Sequence, residues 1–89
     1  FDFQKGDSEG FVNYCLSIKN IKNAVFLRQD KKFIKISLRS KEDVKMNEFS
    51  QKYYGGGGHQ NAAGAAVESN DIDSVTKKLI ENFRSFCFD

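Results

Sequence analysis

The sequence predicts a single α+β domain in which helices pack on a small mixed β-sheet. A chain of 89 residues can bury only one modest core. Apolar and polar residues alternate from Ile34 to Leu38 with the period of a half-buried strand, whereas apolar residues between Ile72 and Phe86 recur at helical spacing. We therefore expect residues 1–89 to form one domain with the element order helix, two strands, helix, strand, helix.

The first half of the chain predicts a short helix followed by a β-hairpin. Ser8 is a candidate N-cap, and apolar side chains recur at helical spacing between Gly10 and Ile18. The apolar run 24–27, the polar turn 29–32 and the alternation that ends at Arg39 then predict two antiparallel strands.

The next segment predicts a helix and a strand. Asn47 is a candidate N-cap for this helix, and Phe49 and Tyr53 lie four residues apart on one of its faces. Gly55 follows the last turn, where a glycine commonly ends a helix. The small residues at 62–67 predict a strand whose backbone a neighbouring strand or a ligand can approach closely.

The final helix is preceded by candidate caps at residues 69–71. Its apolar stripe comprises Ile72, Val75, Leu79, Ile80, Phe83 and Phe86. Most of the nine phenylalanines of the chain fall at periodic positions of this kind, so we assign them to the core.

Charge and composition do not identify the class of molecule that this protein binds. A net charge of +2 is far from the density that by itself marks a nucleic-acid-binding protein. The sequence contains neither a membrane-spanning apolar run nor a secretory leader, so we expect a soluble cytoplasmic protein without a membrane partner. Because the chain starts at Phe1 instead of methionine, we also expect it to be part of a longer polypeptide.

Cysteine and histidine content argue against a metal site in this chain. Cys15 and Cys87 lie far apart without a CxxC spacing, and they are expected to be buried thiols. The single histidine has no local carboxylate cluster beside it. We therefore expect no metal or cofactor to be held by these residues.

The glycine run Gly55–Gly58, which directly precedes His59, is the main functional signal. Glycines allow backbone N–H groups to converge on an anion, and the imidazole beside them can donate to the same charge. The run lacks the Gly-Lys-Ser/Thr ending of a P-loop and the third glycine of a dinucleotide fingerprint. The alternative interpretation is a flexible loop or an extended helix stop.

Arg39 ends the alternating strand, where its guanidinium could bind two phosphate oxygens; the alternative is an ordinary solvated charge. Lys35 shares its strand face and is expected to be exposed. Tyr53 and Tyr54 could stack on a nucleobase, although Tyr53 is better explained as core. The full set of candidate phosphate-binding residues is Arg39, Ser40, Gly56, Gly57, Gly58, His59, Asn61 and Ala63.

The motif Gly56–His59 with its continuation Ala62–Gly64, the upstream Arg39-Ser40 pair and the Asn47–Phe49 segment resemble the DHH-associated domain, subfamily one. The resemblance extends from about Glu9 through the last helix. In that family, a separate N-terminal domain with an Asp-His-His triplet binds two divalent metals, typically manganese. The resemblance implies that this chain is the C-terminal substrate-binding domain of a metal-dependent phosphoesterase and has no catalytic residue of its own.

The resemblance is greatest to short bacterial oligoribonucleases and adenosine bisphosphate phosphatases, often described as exopolyphosphatase-related. It implies short RNA or nucleotide substrates and an N-terminal DHH domain in the same polypeptide. A homodimer is also compatible with the resemblance. The alternatives are the RNA-binding C-terminal domain of an alanyl-tRNA-synthetase-like protein and a cyclic-dinucleotide phosphodiesterase of the same superfamily. Gln60 stands where relatives often have a basic residue, so one backbone contact of the substrate is expected to be weaker.

Overall fold

The computed structural model describes residues 2–8, 11–18, 21–41 and 44–88. In chain order the elements are β1 (Asp2–Ser8), β2 (Phe11–Ile18), β3 (Ile21–Asp30), β4 (Phe33–Arg39), α1 (Met46–Tyr54), β5 (Gly57–His59), β6 (Ala62–Glu68) and α2 (Ile72–Phe88). The described strands form a six-stranded sheet in the order β1-β2-β3-β4-β6-β5.

The α+β class and the single domain are confirmed, but the sheet is not mixed. Every neighbouring pair of described strands is antiparallel. The reason lies in the return of the chain after α1: β6 begins at Ala62 directly beside Arg39, the last residue of β4. A strand that starts where its neighbour ends must run in the opposite direction.

Both helices cover one face of this sheet. Strand residues Val12, Val25, Leu27, Ile34, Ile36 and Leu38 are buried beneath Met46 and Phe49 of α1 and Leu79 and Phe83 of α2. Phe49 lies at the centre of an aromatic cluster, with its ring 5.2 Å from Tyr53, 5.4 Å from Phe83 and 5.4 Å from Phe86. The predicted alternation in β4 and the predicted stripe on α2 are therefore confirmed.

The predicted first helix is wrong, because residues 11–18 form β2. Val12 and Tyr14 point into the core, while Phe11 and Cys15 lie on the opposite face of the sheet. That opposite face also carries apolar side chains, and apolar residues on both faces of a strand can imitate helical spacing. Ser8 is not an N-cap but a residue of β1 paired with Phe11, and Gly10 lies outside the described residues.

The predicted hairpin of β3 and β4 is confirmed, although β3 is longer than the run 24–27. Only Lys31 and Lys32 form the turn, because Gln29 and Asp30 already pair with β4. The Gln29 amide donates to the carbonyls of Lys31 at 2.9 Å and Phe33 at 3.2 Å.

Helix α1 ends as predicted but starts differently. Gly55 is its left-handed C-cap with φ of 65°, and Asn47 lies inside the helix instead of capping it. Lys45 is the N-cap and provides no side-chain hydrogen bond. The Met46 N–H instead donates to the carbonyl of Gln60 at 2.8 Å, so the turn between β5 and β6 satisfies the helix start.

Helix α2 has the predicted cap. The Ser74 N–H donates to Asp71 at 3.1 Å, and the Ser74 hydroxyl bonds to the same carboxylate at 2.7 Å. These hydrogen bonds lower the pKa of Asp71. Neither described helix is long and apolar enough to cross a membrane.

The two cysteines are free thiols and are partly rather than fully buried. Burial against the core raises the pKa of Cys87. Cys15 lies on the opposite face of the sheet, in β2.

Removal of the Phe49 ring is expected to destabilise the fold more than removal of an exposed ring. Phe49 is fully buried among aromatic side chains, so Phe49→Ala should lower the free energy of unfolding by about 3–5 kcal/mol. Phe33→Ala is the matched control, because Phe33 is 46% exposed. Urea denaturation followed by circular dichroism measures both changes; equal losses would contradict this core assignment.

Candidate functional site

The sheet face opposite the helices is exposed to solvent, and we call it the open face. On strands β3, β4, β6 and β5 it consists of alternate residues, which are Ala24, Phe26, Arg28, Asp30, Phe33, Lys35, Ser37, Arg39, Ala62, Gly64, Ala66, Glu68, Gly57 and His59. Each of these residues is partly or fully exposed. In the cross-strand row that begins at Phe26, the residues on β4, β6 and β5 are all small: Ser37, Gly64 and Gly57.

Arg39 and His59 lie in the same cross-strand row of the open face. Ala62 pairs with Arg39 on one side and with His59 on the other. Residues directly opposite in antiparallel strands project to the same face, and two strand spacings separate the two Cα atoms by about 10 Å. Both side chains are exposed, with only a methyl group between them, so both can reach one anion.

The Arg39 guanidinium is fixed at one nitrogen and otherwise open. Nη1 donates to the carbonyl of Leu38 at 2.9 Å. Across residues 2–8, 11–18, 21–41 and 44–88, no carboxylate forms an ion pair with Arg39. Its remaining N–H groups can therefore serve a phosphate or carboxylate.

Two of the four consecutive glycines are explained by the end of α1. Gly55 adopts the left-handed conformation that ends the helix. A Cβ at Gly56 would collide with the carbonyl of Gly64 and with Ser50 Oγ. The Ser50 hydroxyl donates to that same carbonyl at 2.8 Å, so Gly56 lets α1 pack directly on β6.

The other two glycines differ from each other. Gly58 has φ of 136°, and a Cβ there would meet the carbonyl of Ala62 at 2.6 Å. At Gly57, no atom lies within 4 Å of the position a Cβ would take. Gly57 is thus the one glycine of the run for which the described residues show no steric reason, and it lies on the open face opposite Gly64.

Ser40 and Asn61 connect the ends of the strands that carry Arg39 and His59. The Ser40 hydroxyl donates to the carbonyl of Val44 at 2.7 Å, and Asn61 Nδ2 donates to Ser40 Oγ at 3.1 Å. The Ser40 N–H donates to the carbonyl of Asn61 at 3.0 Å. These bonds hold the turn after His59 against the end of β4, which keeps the Arg39 and His59 side chains in register.

The remaining sequence candidates lie elsewhere. The Ala63 methyl lies on the helix-covered face and is buried, so only its backbone is near the row. Tyr53 and Tyr54 pack on the core cluster, which confirms the core assignment of Tyr53. The Tyr54 hydroxyl accepts from Asn82 at 3.2 Å, and burial raises the pKa of Tyr54 despite that bond.

The potential metal ligands in the described part of the chain are scattered. No group of three His, Cys, Asp or Glu side chains comes together among the residues that the structure describes. The chain contains one histidine, which pairs with Ala62 and shares its cross-strand row with Arg39.

Residues 1–85 match the model of the DHHA1 domain family. This chain belongs to the DHHA1 family. The Arg39–Ala62–His59 row is therefore part of a DHHA1 domain, and the resemblance inferred from the sequence is confirmed.

Two relatives of this DHHA1 domain are informative. It is 35% identical over 78 residues to the bifunctional oligoribonuclease and PAP phosphatase NrnA of Thermus thermophilus, with 88% of this chain and 24% of that protein covered. It is 33% identical to the crystal structure of an exopolyphosphatase-related protein from Bacteroides fragilis, with a TM-score of 0.62 and coverage of 82% and 22%. The chain thus spans about a quarter of the length of either relative.

Sequence reasoning missed the aromatic residues of the open face. Phe26 is 36% exposed and Phe33 is 46% exposed, although phenylalanines were assigned to the core as a class. The alternation of side chains between the two faces of a strand could have identified them. Phe33 shares its strand face with Lys35 and Arg39, and Phe26 shares its face with Arg28.

The different environments of two adjacent glycines give a direct test. Gly56→Ala should lower the free energy of unfolding by about 2–3 kcal/mol, since its Cβ overlaps a backbone carbonyl and a fully buried serine. Gly57→Ala should change it by less than about 1 kcal/mol. Urea titration of both variants measures the difference, and equal destabilisation would contradict the packing described for Gly56.

Proposed function

We propose that this DHHA1 domain is the substrate-binding part of a DHH-family phosphoesterase that hydrolyses short oligoribonucleotides or nucleoside bisphosphates. The observation that carries the proposal is the Arg39–Ala62–His59 row, in which an arginine and a histidine lie two strands apart on one exposed surface. The NrnA relative is an oligoribonuclease and PAP phosphatase, which supports this class of substrate.

In this proposal, a terminal phosphate binds between Arg39 and His59. The guanidinium donates two hydrogen bonds to phosphate oxygens, and the imidazole donates a third from the other side. Both are charge-assisted through the anionic phosphate, and such bonds are stronger than neutral ones. Because the Ala62 side chain is small, the phosphate can contact the sheet surface between Arg39 and His59.

Gly57 is proposed to contribute close backbone approach. Its Cα faces open space on an edge strand, where some backbone N–H groups point away from the sheet. Gly56 and Gly58 are required by packing, and their amides are proposed to add to the same electrostatic environment. Ser40 and Asn61 are proposed as positioning residues, because their side chains bond to each other and hold the strand ends.

Hydrolysis itself is assigned to the part of the polypeptide that this chain does not include. We propose that an N-terminal DHH domain there binds divalent metal, with manganese as the expected ion. This chain would then hold the phosphate in place for attack by water, and alone it would bind substrate without turnover.

Binding by the 89-residue chain tests the proposal. Titration calorimetry with adenosine 3′,5′-bisphosphate should show that His59→Ala and Arg39→Ala each weaken affinity by about 10- to 100-fold, the loss of one charge-assisted contact. Arg39→Lys should lose part of the affinity, because an ammonium cannot form the two-bonded arrangement.

Arg84→Ala is the matched control, since Arg84 is an exposed arginine on α2, away from the open face. Gly57→Ala adds a second readout, because it should weaken binding while leaving stability intact. Unchanged affinity in both His59→Ala and Arg39→Ala would refute the assignment.

A further inference from the structure

A second feature of the open face lies at the turn between β3 and β4. A cavity of about 390 Å³ is lined there by Asp30, Lys31, Lys32, Phe33, Lys35 and Ala66. Phe33 is 46% exposed, more than Phe26, the other exposed large apolar side chain among the described residues. An exposed aromatic ring next to lysines is the usual composition of a surface that stacks bases and binds phosphates.

The charge of this region favours an anionic partner. Lys31 and Lys32 form the turn, and neither makes an ion pair with another residue that the structure describes. Asp30 bonds Lys35 at 3.1 Å and lies 4.0 Å from Arg28, so it orients these two cations without neutralising the turn lysines. Glu68, opposite Phe33, is the other carboxylate of this part of the face.

The turn is rigidly attached to the rest of the fold. Gln29 Nε2 also donates to the carbonyl of Ser69 at 3.0 Å, and the Ser69 N–H donates to the carbonyl of Lys32 at 2.9 Å. Lys31 is held in the left-handed region with φ of 59°. A binding surface built on such a fixed turn loses little conformational entropy when a ligand binds.

The same strand connects this turn with the proposed phosphate site. Phe33 and Arg39 both lie on the open face of β4, six residues and about 20 Å apart. Between them β4 carries Lys35 and Ser37, which pair with Ala66 and Gly64 of β6, so Lys35 is the one long side chain on this part of the two strands. At the 3.4 Å axial rise per nucleotide of a stacked strand, that length corresponds to about six nucleotides.

We infer that the β3–β4 turn is a second nucleic-acid contact, at which Phe33 stacks on a base and Lys31, Lys32 and Lys35 bind phosphates of a single-stranded RNA whose end occupies the Arg39–His59 site. The inference rests on the proposed function and adds a determinant of substrate length to it. Mononucleotides and dinucleotides bound at Arg39 and His59 do not reach Phe33.

The test compares two labelled oligoadenylates, a dinucleotide and an octanucleotide, binding to the 89-residue chain by fluorescence anisotropy. The octanucleotide should bind more tightly. Phe33→Ala should weaken octanucleotide binding by about 5- to 100-fold and leave dinucleotide binding unchanged, whereas Phe33→Tyr should retain the affinity. Lys32→Ala should reduce the salt dependence of octanucleotide binding, and Lys78→Ala on α2 is the matched lysine control.

The outcomes separate the two proposals. Failure of wild-type chain to bind the dinucleotide would overturn the proposed function and this inference with it. Dinucleotide binding with no gain for the octanucleotide, or a gain that Phe33→Ala does not reduce, would overturn this inference alone. A Phe33→Ala variant that changes self-association in analytical ultracentrifugation but not RNA affinity would identify the turn as a protein interface and also overturn it.

Discussion

The pairing of β6 with β4 on one side and with β5 on the other is the constraint on which the site depends. It places Ala62 between Arg39 and His59, residues that are 20 positions apart in the sequence. A shift of one residue in either pairing would turn one of the two side chains to the helix-covered face. The register is fixed by the buried partners of the same strands, above all Leu38 opposite Ala63, and by the bonds of Ser40 with Asn61.

Packing and the end of α1 explain most of the glycine run. Three of its members are needed by the fold itself: one ends α1, one lets α1 lie on β6 and one allows β5 to approach β6. Only Gly57 is free of such a requirement. Compensation for the flexibility of the run therefore comes largely from packing, and the proposed anion binding depends on the geometry of the row instead of on glycine content.

The sequence was sufficient to predict the elements whose apolar residues lie on one side. Strand β4 and helix α2 were recognisable because each has one buried and one solvated face. The end of α1 was recognisable from Gly55, which follows its last turn. Strand β2 was mistaken for a helix because the face opposite the helices also carries apolar groups, with the Phe11 ring 6.3 Å from the Phe26 ring and tilted against it. The start of α1 was missed because its cap is a backbone carbonyl at Gln60, a tertiary contact that no local pattern records. His59, Arg39 and the glycines could be named from sequence, but their alignment in one row required the strand register.

Backbone-resolved NMR titration of the 89-residue chain with adenosine 3′,5′-bisphosphate tests the central claim most directly, because it locates a bound phosphate on one face of the sheet. The account predicts the largest amide shift changes at Arg39, Ala62, His59 and Gly57, with small changes at residues of α2. Changes concentrated on the helix-covered side, or at only one end of the row, would contradict the claim that the β4–β6–β5 register assembles the site.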